Sequence, residues 1–109
     1  MSRTEDLFTY KVIKRKEKIG TAKCVGKISE WYKKPQAGVA KVNDTSLKIE
    51  SSLFLVNENI AWCQPAIIQS IQIDKISIDE TGYVEEELEI GLKFDVDAKQ
   101  GLALYVLVD

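Results

Sequence analysis

The sequence predicts an all-β protein, a small closed antiparallel Greek-key barrel of six or seven strands. Short segments rich in Val, Ile and aromatic residues recur along the 109-residue chain and are separated by turn-forming residues. Several segments alternate apolar and polar residues, as a strand with one buried face does. No stretch of ten or more residues shows a competing helical spacing. These three observations together favour a barrel.

Residues 19–42 are predicted to form a long strand, a corner and a return strand. Within 21–29 the alternation puts one set of small or apolar residues inside and leaves Val25 outside; the inner set is Ala22, Cys24, Gly26 and Ile28. A glycine inside a strand indicates a bulge or a tight bend, which we expect at Gly26. Residues 30–36 are predicted to be a polar corner before a short strand at 38–42.

The N-terminal segment is predicted to add an arm or an extra strand. Residues 7–13 are rich in aromatic and β-branched side chains, which favours a strand. The charged run 14–18 and Gly20 then interrupt the pattern. The expected organisation is therefore residues 1–18 as the arm or extra strand and residues 19–109 as the barrel domain.

The remaining strands are expected at 47–49, 53–56, 67–78, 88–96 and 102–108. Pro65 favours an irregular segment over 60–65, because proline cannot donate to a central ladder. The parity of the isoleucines changes within 67–78, so we expect a bulge near Asp74. Residues 97–101 are predicted to close a hairpin. The last strand is apolar on both faces and should be central or covered.

The order of these segments resembles the small β-barrel of translation GTPases, the second domain of elongation factor Tu, and its stand-alone relatives. The segments that carry the resemblance are 25–28, the aromatic pair at 31–32, 38–42, 47–49, 68–73, 89–94 and 100–106. The Gly-Asp pairs of the family are absent at 50–51 and before the penultimate strand, and Leu102 replaces an aspartate. The resemblance implies a translation setting, because the family barrel contacts the aminoacyl end of transfer RNA.

Charge is divided unevenly between the two halves. Residues 1–50 carry a surplus of six positive charges and residues 51–109 a surplus of eight negative charges, for a net charge of −2. Such asymmetry can mark a nucleic-acid-binding face. The alternative is that the charges neutralise each other across neighbouring strands.

Basic and aromatic residues in the first half form the candidate nucleic-acid site. Lysine and arginine attract phosphates, and aromatic faces can stack on unpaired bases. The candidate residues are Lys14, Arg15, Lys16, Lys18, Lys23, Lys27, Trp31, Tyr32, Lys33 and Lys34. The alternative for Trp31 is a core plug with the lysines as a solvated rim. Trp62 is expected to cap a barrel mouth or to anchor a protein partner.

No catalytic, metal or cofactor site is predicted. The chain has no histidine and no G-x-x-x-x-G-K-[ST] phosphate loop. The carboxylates at 85–87, and Asp95 with Asp97, are expected to be solvated rather than paired in a cleft. Cys24 and Cys63 are expected to be small buried side chains, and the N-terminus lacks a signal sequence, which favours the cytoplasm.

The predicted function is a non-enzymatic binding module that contacts RNA or a ribonucleoprotein through the basic half. The alternatives are a protein–protein adaptor, and an accessory domain that works beside an enzyme encoded elsewhere. We expect neither a membrane nor a metal among its partners.

Overall fold

Residues 3–108 fold into one α-helix, nine β-strands and one turn of 3₁₀ helix. The computed structural model describes residues 3–108. The helix α1 spans Arg3–Lys18. The strands are β1 (Ala22–Tyr32), β2 (Ala37–Val42), β3 (Thr45–Lys48), β4 (Ser52–Asn57), β5 (Trp62–Ile73), β6 (Ile76–Ile78), β7 (Glu80–Val84), β8 (Leu88–Phe94) and β9 (Ala103–Leu107), and the 3₁₀ turn is Glu58–Ile60.

Six strands close into an antiparallel barrel, as predicted. Their order around the barrel is β1, β2, β8, β5, β4 and β9, and β9 pairs again with β1. Strand β5 closes the ring because one part of it pairs with β4 and the following part pairs with β8. Residues 62–67 pair with β4, and residues 68–72 pair with β8. Pro65 lies in the first part, where β8 is not yet paired, so residues 62–65 of the predicted irregular segment are instead regular strand.

Three short strands lie outside the ring. Strands β3 and β7 form a separate antiparallel pair, from which Leu47 enters the barrel core. Strand β6 pairs with the end of β5 through a two-residue turn. Asp74 and Lys75 both have positive φ, 53° and 67°, as in the turns that join tight hairpins. This turn, and not the predicted bulge, reverses the parity of the isoleucines.

The barrel interior is filled by aliphatic side chains and one phenylalanine. Strand β9 contributes one of them and each other barrel strand two or three, and all are less than 4% exposed: Val25, Ile28, Ala40, Val42, Leu53, Leu55, Ala66, Ile68, Ile71, Ile90, Leu92, Phe94 and Leu104. Removing this apolar surface from water is the main stabilising contribution to the fold.

Two bulges change the inner face of β1. The pairing register shifts between Cys24 and Gly26 against β9, and between Ile28 and Glu30 against β2. As a result Val25 is buried and Cys24 is exposed. The predicted alternation was therefore wrong at these two residues, whereas the bulge expected at Gly26 is confirmed. The expected corner is also shorter, because β1 continues to Tyr32.

The strand predicted over residues 7–13 is wrong, because these residues lie inside α1. Lys, Arg and Glu, which fill residues 14–18, are strong helix formers, and they extend the helix rather than interrupt it. Tyr10, Ile13 and Glu17 recur at helical spacing on the side that meets the barrel. Gly20, with φ 85°, then ends the helix in a Schellman motif, in which Thr21 N–H donates to Lys16 O.

Helix α1 covers an apolar patch on the outside of the barrel. Ile13, 2% exposed, packs against Val56, Cys63, Ala103 and Tyr105. This second cluster lies on β4, β5 and β9, on the opposite face from the core residues of the same strands. It explains why the last strand is apolar on both faces, and the prediction that this strand is central or covered is confirmed.

The hairpin predicted at residues 97–101 is also wrong. Strand β8 pairs with β2 and β5, and β9 pairs with β1 and β4, so the connection crosses one end of the barrel. Its residues Ala98 and Leu102 are buried there. Over residues 3–108, no helix has both the length and the hydrophobicity to cross a bilayer.

Candidate nucleic-acid interface

The ten predicted interface residues are spread from α1 along the full length of β1. Arg15, Lys16 and Lys18 lie in the last turn of α1, and Lys33 and Lys34 lie in the turn after β1. Eleven residues of strand separate these two groups, a span of roughly 30 Å. Helix C-termini favour cations, so the first group also stabilises its own helix.

Lys14 is engaged in an internal network between α1 and the barrel. Its Nζ lies 2.7 Å from Glu17 Oε1 and 2.9 Å from Glu58 Oε1, and donates to Tyr105 Oη at 3.1 Å. Tyr10 and Tyr105 donate in turn to the Glu58 carboxylate, at 2.8 and 2.9 Å. The charge of Lys14 is thus balanced by two carboxylates.

The protonation equilibria of this network reflect its hydrogen bonds and burial. The hydrogen bonds to Glu17 and Glu58 raise the pKa of Lys14. The bond from Lys14 lowers the pKa of Glu58. Burial raises the pKa of Tyr105. Lys14 is therefore held as an ammonium and Glu58 as a carboxylate, and the pair fixes α1 to the 3₁₀ turn that follows β4.

Lys23 also has an acidic neighbour. Its Nζ lies 3.3 Å from Asp44 Oδ2, and the same carboxylate accepts a hydrogen bond from Tyr83 Oη. Both bonds lower the pKa of Asp44, that from Tyr83 contributing more. Lys23 is thus paired with an acidic residue of its own half of the chain, so this ion pair does not neutralise charge between the two halves.

Lys27 lies in an open groove on the outside of β1 and β2. It is directly opposite Lys41 in the antiparallel register, an arrangement that repels like charges. The groove has a volume of about 430 Å³ and also contains Cys24 and Asn43. Glu87 lines one side of it and supplies a negative charge close to the two lysines.

Trp31 has a structural role. Its ring stacks on Phe94, with centroids 5.8 Å apart and planes 16° apart. Its Nε1–H donates to Asp97 Oδ1 at 2.9 Å. Trp62 is likewise half-buried against the barrel core. Both tryptophans therefore use much of their apolar surface within the fold.

Tyr32 is the exposed aromatic residue of the predicted set, with 54% of its surface accessible. It borders a groove of about 270 Å³, here called the Tyr32 groove, on the outside of β2, β8 and β5. The groove is lined by Tyr32, Ala37, Gly38, Val39, Ser70, Gln72, Gly91, Leu92 and Lys93. Small residues form its floor, and Tyr32 Oη donates to Glu30 at 2.8 Å.

The groove also contains three polar residues that were not predicted from the sequence, Ser70, Gln72 and Lys93. They lie on β5 and β8, far from Tyr32 in the chain, and the barrel brings them together because Ala37 pairs with Lys93. The sequence of β8 gave one indication, because apolar and polar residues alternate there and Lys93 takes an outward position. The register between β2 and β8 could not be read from it.

Asp95 and Asp97, which were expected to be solvated, have structural partners. Asp95 Oδ1 accepts the Ile67 N–H at 2.9 Å, and Asp97 accepts the Trp31 indole. Over the part of the chain that the structure describes, no three Cys, Asp or Glu side chains are grouped so that they could hold a metal ion.

In comparisons with known proteins, no family model matches the chain. No curated protein sequence matches it either. The molecule is a small six-stranded antiparallel β-barrel with one helix packed on its outer face.

Proposed function

We propose that this chain is a cytoplasmic, non-enzymatic binding module that holds a single strand of RNA, free or within a ribonucleoprotein, in the Tyr32 groove. The observation that carries the proposal is an exposed aromatic ring at the border of a groove with lysines nearby. Aromatic faces stack on unpaired bases, and lysines attract the phosphates that join them.

Each part of the groove has a role in this proposal. The ring of Tyr32 offers a stacking face, and Lys33, Lys34 and Lys93 supply positive charge. The Ala37 and Gly91 positions leave the floor low enough for a base to approach the sheet. Gln72 carries an amide that can both donate to and accept from a base edge.

We further propose that the barrel is of the translation-factor type. The closed six-stranded ring supports this proposal. The segments that carry the resemblance also lie in barrel strands: residues 25–28 in β1, residues 38–42 in β2, and residues 103–106 in β9. Shared architecture does not transfer function, so the RNA proposal depends on the groove.

The test is titration of a labelled single-stranded RNA with the full chain at several salt concentrations. Affinity should fall as salt rises, because bound phosphates release counterions. Tyr32→Ala should weaken binding by roughly 5- to 150-fold, the range for the loss of one stacked base. Replacing Lys33 and Lys34 by Gln should reduce the salt slope by about 1 per lysine.

Tyr83→Ala is the matched control. Tyr83 is also exposed, at 62%, and also donates its hydroxyl to a neighbouring carboxylate, but it does not line the groove. Loss of binding in the Tyr32 variant alone supports the proposal. No measurable binding at low salt, or equal losses in both variants, contradicts it.

The second candidate is a protein–protein adaptor, alone or as an accessory domain beside an enzyme encoded elsewhere. Large exposed apolar side chains favour it, since such residues anchor protein interfaces; Phe8 and Ile19 are each 69% exposed. Pull-down from nuclease-treated extract separates the two candidates. A protein partner that survives nuclease supports the adaptor, and one that is lost supports RNA.

A further inference from the structure

One side of α1 faces away from the barrel and combines cations with apolar side chains. Residues 7, 11, 15 and 18 follow one another at helical spacing, and residue 8 is adjacent to them on the helix surface. We call this set the α1 outer face; its members are Leu7, Phe8, Lys11, Arg15 and Lys18, all of them exposed. Ile13, which packs on the barrel, lies on the opposite side.

The α1 outer face has an unbalanced charge. None of its three cations forms an ion pair with a residue that the structure describes, in contrast to Lys14 on the inner side. Phe8 is 69% exposed and Leu7 is 39% exposed, so apolar surface adjoins the charges. Exposed cations beside exposed apolar groups allow a contact that combines electrostatic attraction with the burial of apolar surface.

The same molecule carries a surface of opposite charge. Residues 80–87, the acidic segment, include β7 and the connection to β8. Glu80 and residues 85–87 are exposed carboxylates. Tyr83, 62% exposed, supplies a large apolar group among them. The acidic segment thus matches the α1 outer face in both charge and apolar content.

We infer that the α1 outer face of one copy docks on the acidic segment of a second copy, which gives a head-to-tail complex. Opposite charges on two faces favour this pairing, and a symmetric α1-to-α1 contact would bring six cations together. Such a heterologous contact can extend beyond two copies unless it closes into a ring. One 16-residue helix offers a small area, which is typical of transient complexes.

The test is sedimentation velocity of the full chain over a range of concentrations, at low and at high salt. Association that strengthens with concentration and weakens at least tenfold in high salt is expected, because exposed charges are screened. Two variants remove one face each: Lys11→Glu with Arg15→Glu, and Glu85→Lys with Glu86→Lys. Each alone should lose at least tenfold in self-association.

A mixture of the two variants makes the test specific. One variant keeps the acidic segment and the other keeps the α1 outer face, and the two reversed faces are again opposite in charge, so the mixture should associate although neither variant does so alone. The control is Lys75→Glu with Lys99→Glu, which changes the net charge as much as the first variant at exposed lysines outside both surfaces. It should associate like the unaltered chain.

Three results would overturn the inference. The unaltered chain could remain monomeric at several hundred micromolar and low salt. The mixture could stay monomeric although each variant gives the circular dichroism spectrum of the unaltered chain. The control could lose association as much as the α1 variant, which would show a general effect of net charge.

Discussion

At Gly26, beside the bulge that β1 forms against β9, the backbones of β1 and β2 lie too close together for a side chain. A Cβ atom at this position would lie 2.3 Å from Lys41 O and 2.8 Å from a methyl group of Val42. Backbone cannot move away as a flexible side chain can, so only glycine fits. The residue therefore permits the bulge that brings Val25 into the core.

We predict that Gly26→Ala lowers the free energy of unfolding by about 2 kcal/mol or more, through the clash with the Lys41 carbonyl. Urea denaturation measures this change. Gly91→Ala is the control, because its Cβ would meet Gln72 Cβ at an ordinary 3.5 Å. The control should change stability by at most about 0.5 kcal/mol. Equal effects at both positions would mean that the close approach is not the cause.

Glu58 should make stability depend on pH in the acid range. Its pKa in the folded chain lies below the ordinary value of 4.5, chiefly through the bond from Lys14. A lowered folded pKa gives stability that is present above about pH 4.5 and is lost as pH falls through the folded pKa. We predict that Glu58→Gln is less stable than the unaltered chain at pH 7 and that the difference shrinks towards pH 3.

Urea midpoints measured from pH 3 to pH 7 check this prediction. The Lys14 pKa is raised in the folded state, so its contribution is constant over that window and is lost only in strong alkali. A difference between the two chains that stays constant with pH would contradict the role of the Glu58 carboxylate.

At the scale of elements, α1 covers the second cluster, which lies on β4, β5 and β9. Cys63, 1% exposed, lies beneath it, whereas Cys24 on β1 is exposed. The expectation that both cysteines are buried is thus confirmed for Cys63 and wrong for Cys24. The reactivity of Cys63 therefore reports on the packing of the helix, and that of Cys24 reports on the barrel surface.

We predict that Ile13→Ala costs about 2–4 kcal/mol, because it removes the largest fully buried side chain of this cluster. In the unaltered chain a thiol reagent should label Cys24 quickly and Cys63 slowly. In the variant the rate at Cys63 should rise by at least tenfold, while that at Cys24 stays the same. Mass spectrometry resolves the two rates. Unchanged protection of Cys63 would show that α1 does not limit access to it.

At the scale of the whole molecule, closure of the barrel divides the strands into two stability classes. Strands within the ring are paired on both sides, and their contacts join distant parts of the chain, such as Ala22 with Leu107. Strand β6 pairs with β5 alone, and β3 with β7 alone. Local opening needs the least free energy where few contacts must break.

We therefore predict slow amide hydrogen exchange in β1, β8 and β9 and fast exchange in β6, with β3 and β7 between them. Exchange followed by mass spectrometry over hours resolves these classes. Comparable protection in β6 and β9 would contradict the assignment of β6 to the periphery of the fold.

Much of the barrel could be predicted from the sequence, because alternation in β8 and the apolar last strand are local signals. The predictions that were wrong concern segments whose structure depends on contacts with residues far away in the sequence. Residues 7–13 have β propensity, yet tertiary packing through Ile13 makes them helical. The hairpin at 97–101 failed because sequence proximity does not determine which strands pair. The candidate site was partly found: Tyr32, Lys33 and Lys34 were predicted, whereas Lys93 requires knowledge of the register.

The two bulges of β1 have a consequence for redesign. Its buried residues Ala22, Val25 and Ile28 recur at every third position. This spacing is typical of a helix, and a strict two-residue alternation would assign some of these residues to the wrong face. Redesign of the outer surface of the barrel, or insertion of a peptide into the hairpin of β1 and β2, must therefore follow this three-residue spacing along β1. Removing a single residue between Cys24 and Glu30 would change which residues occupy the buried positions of this strand.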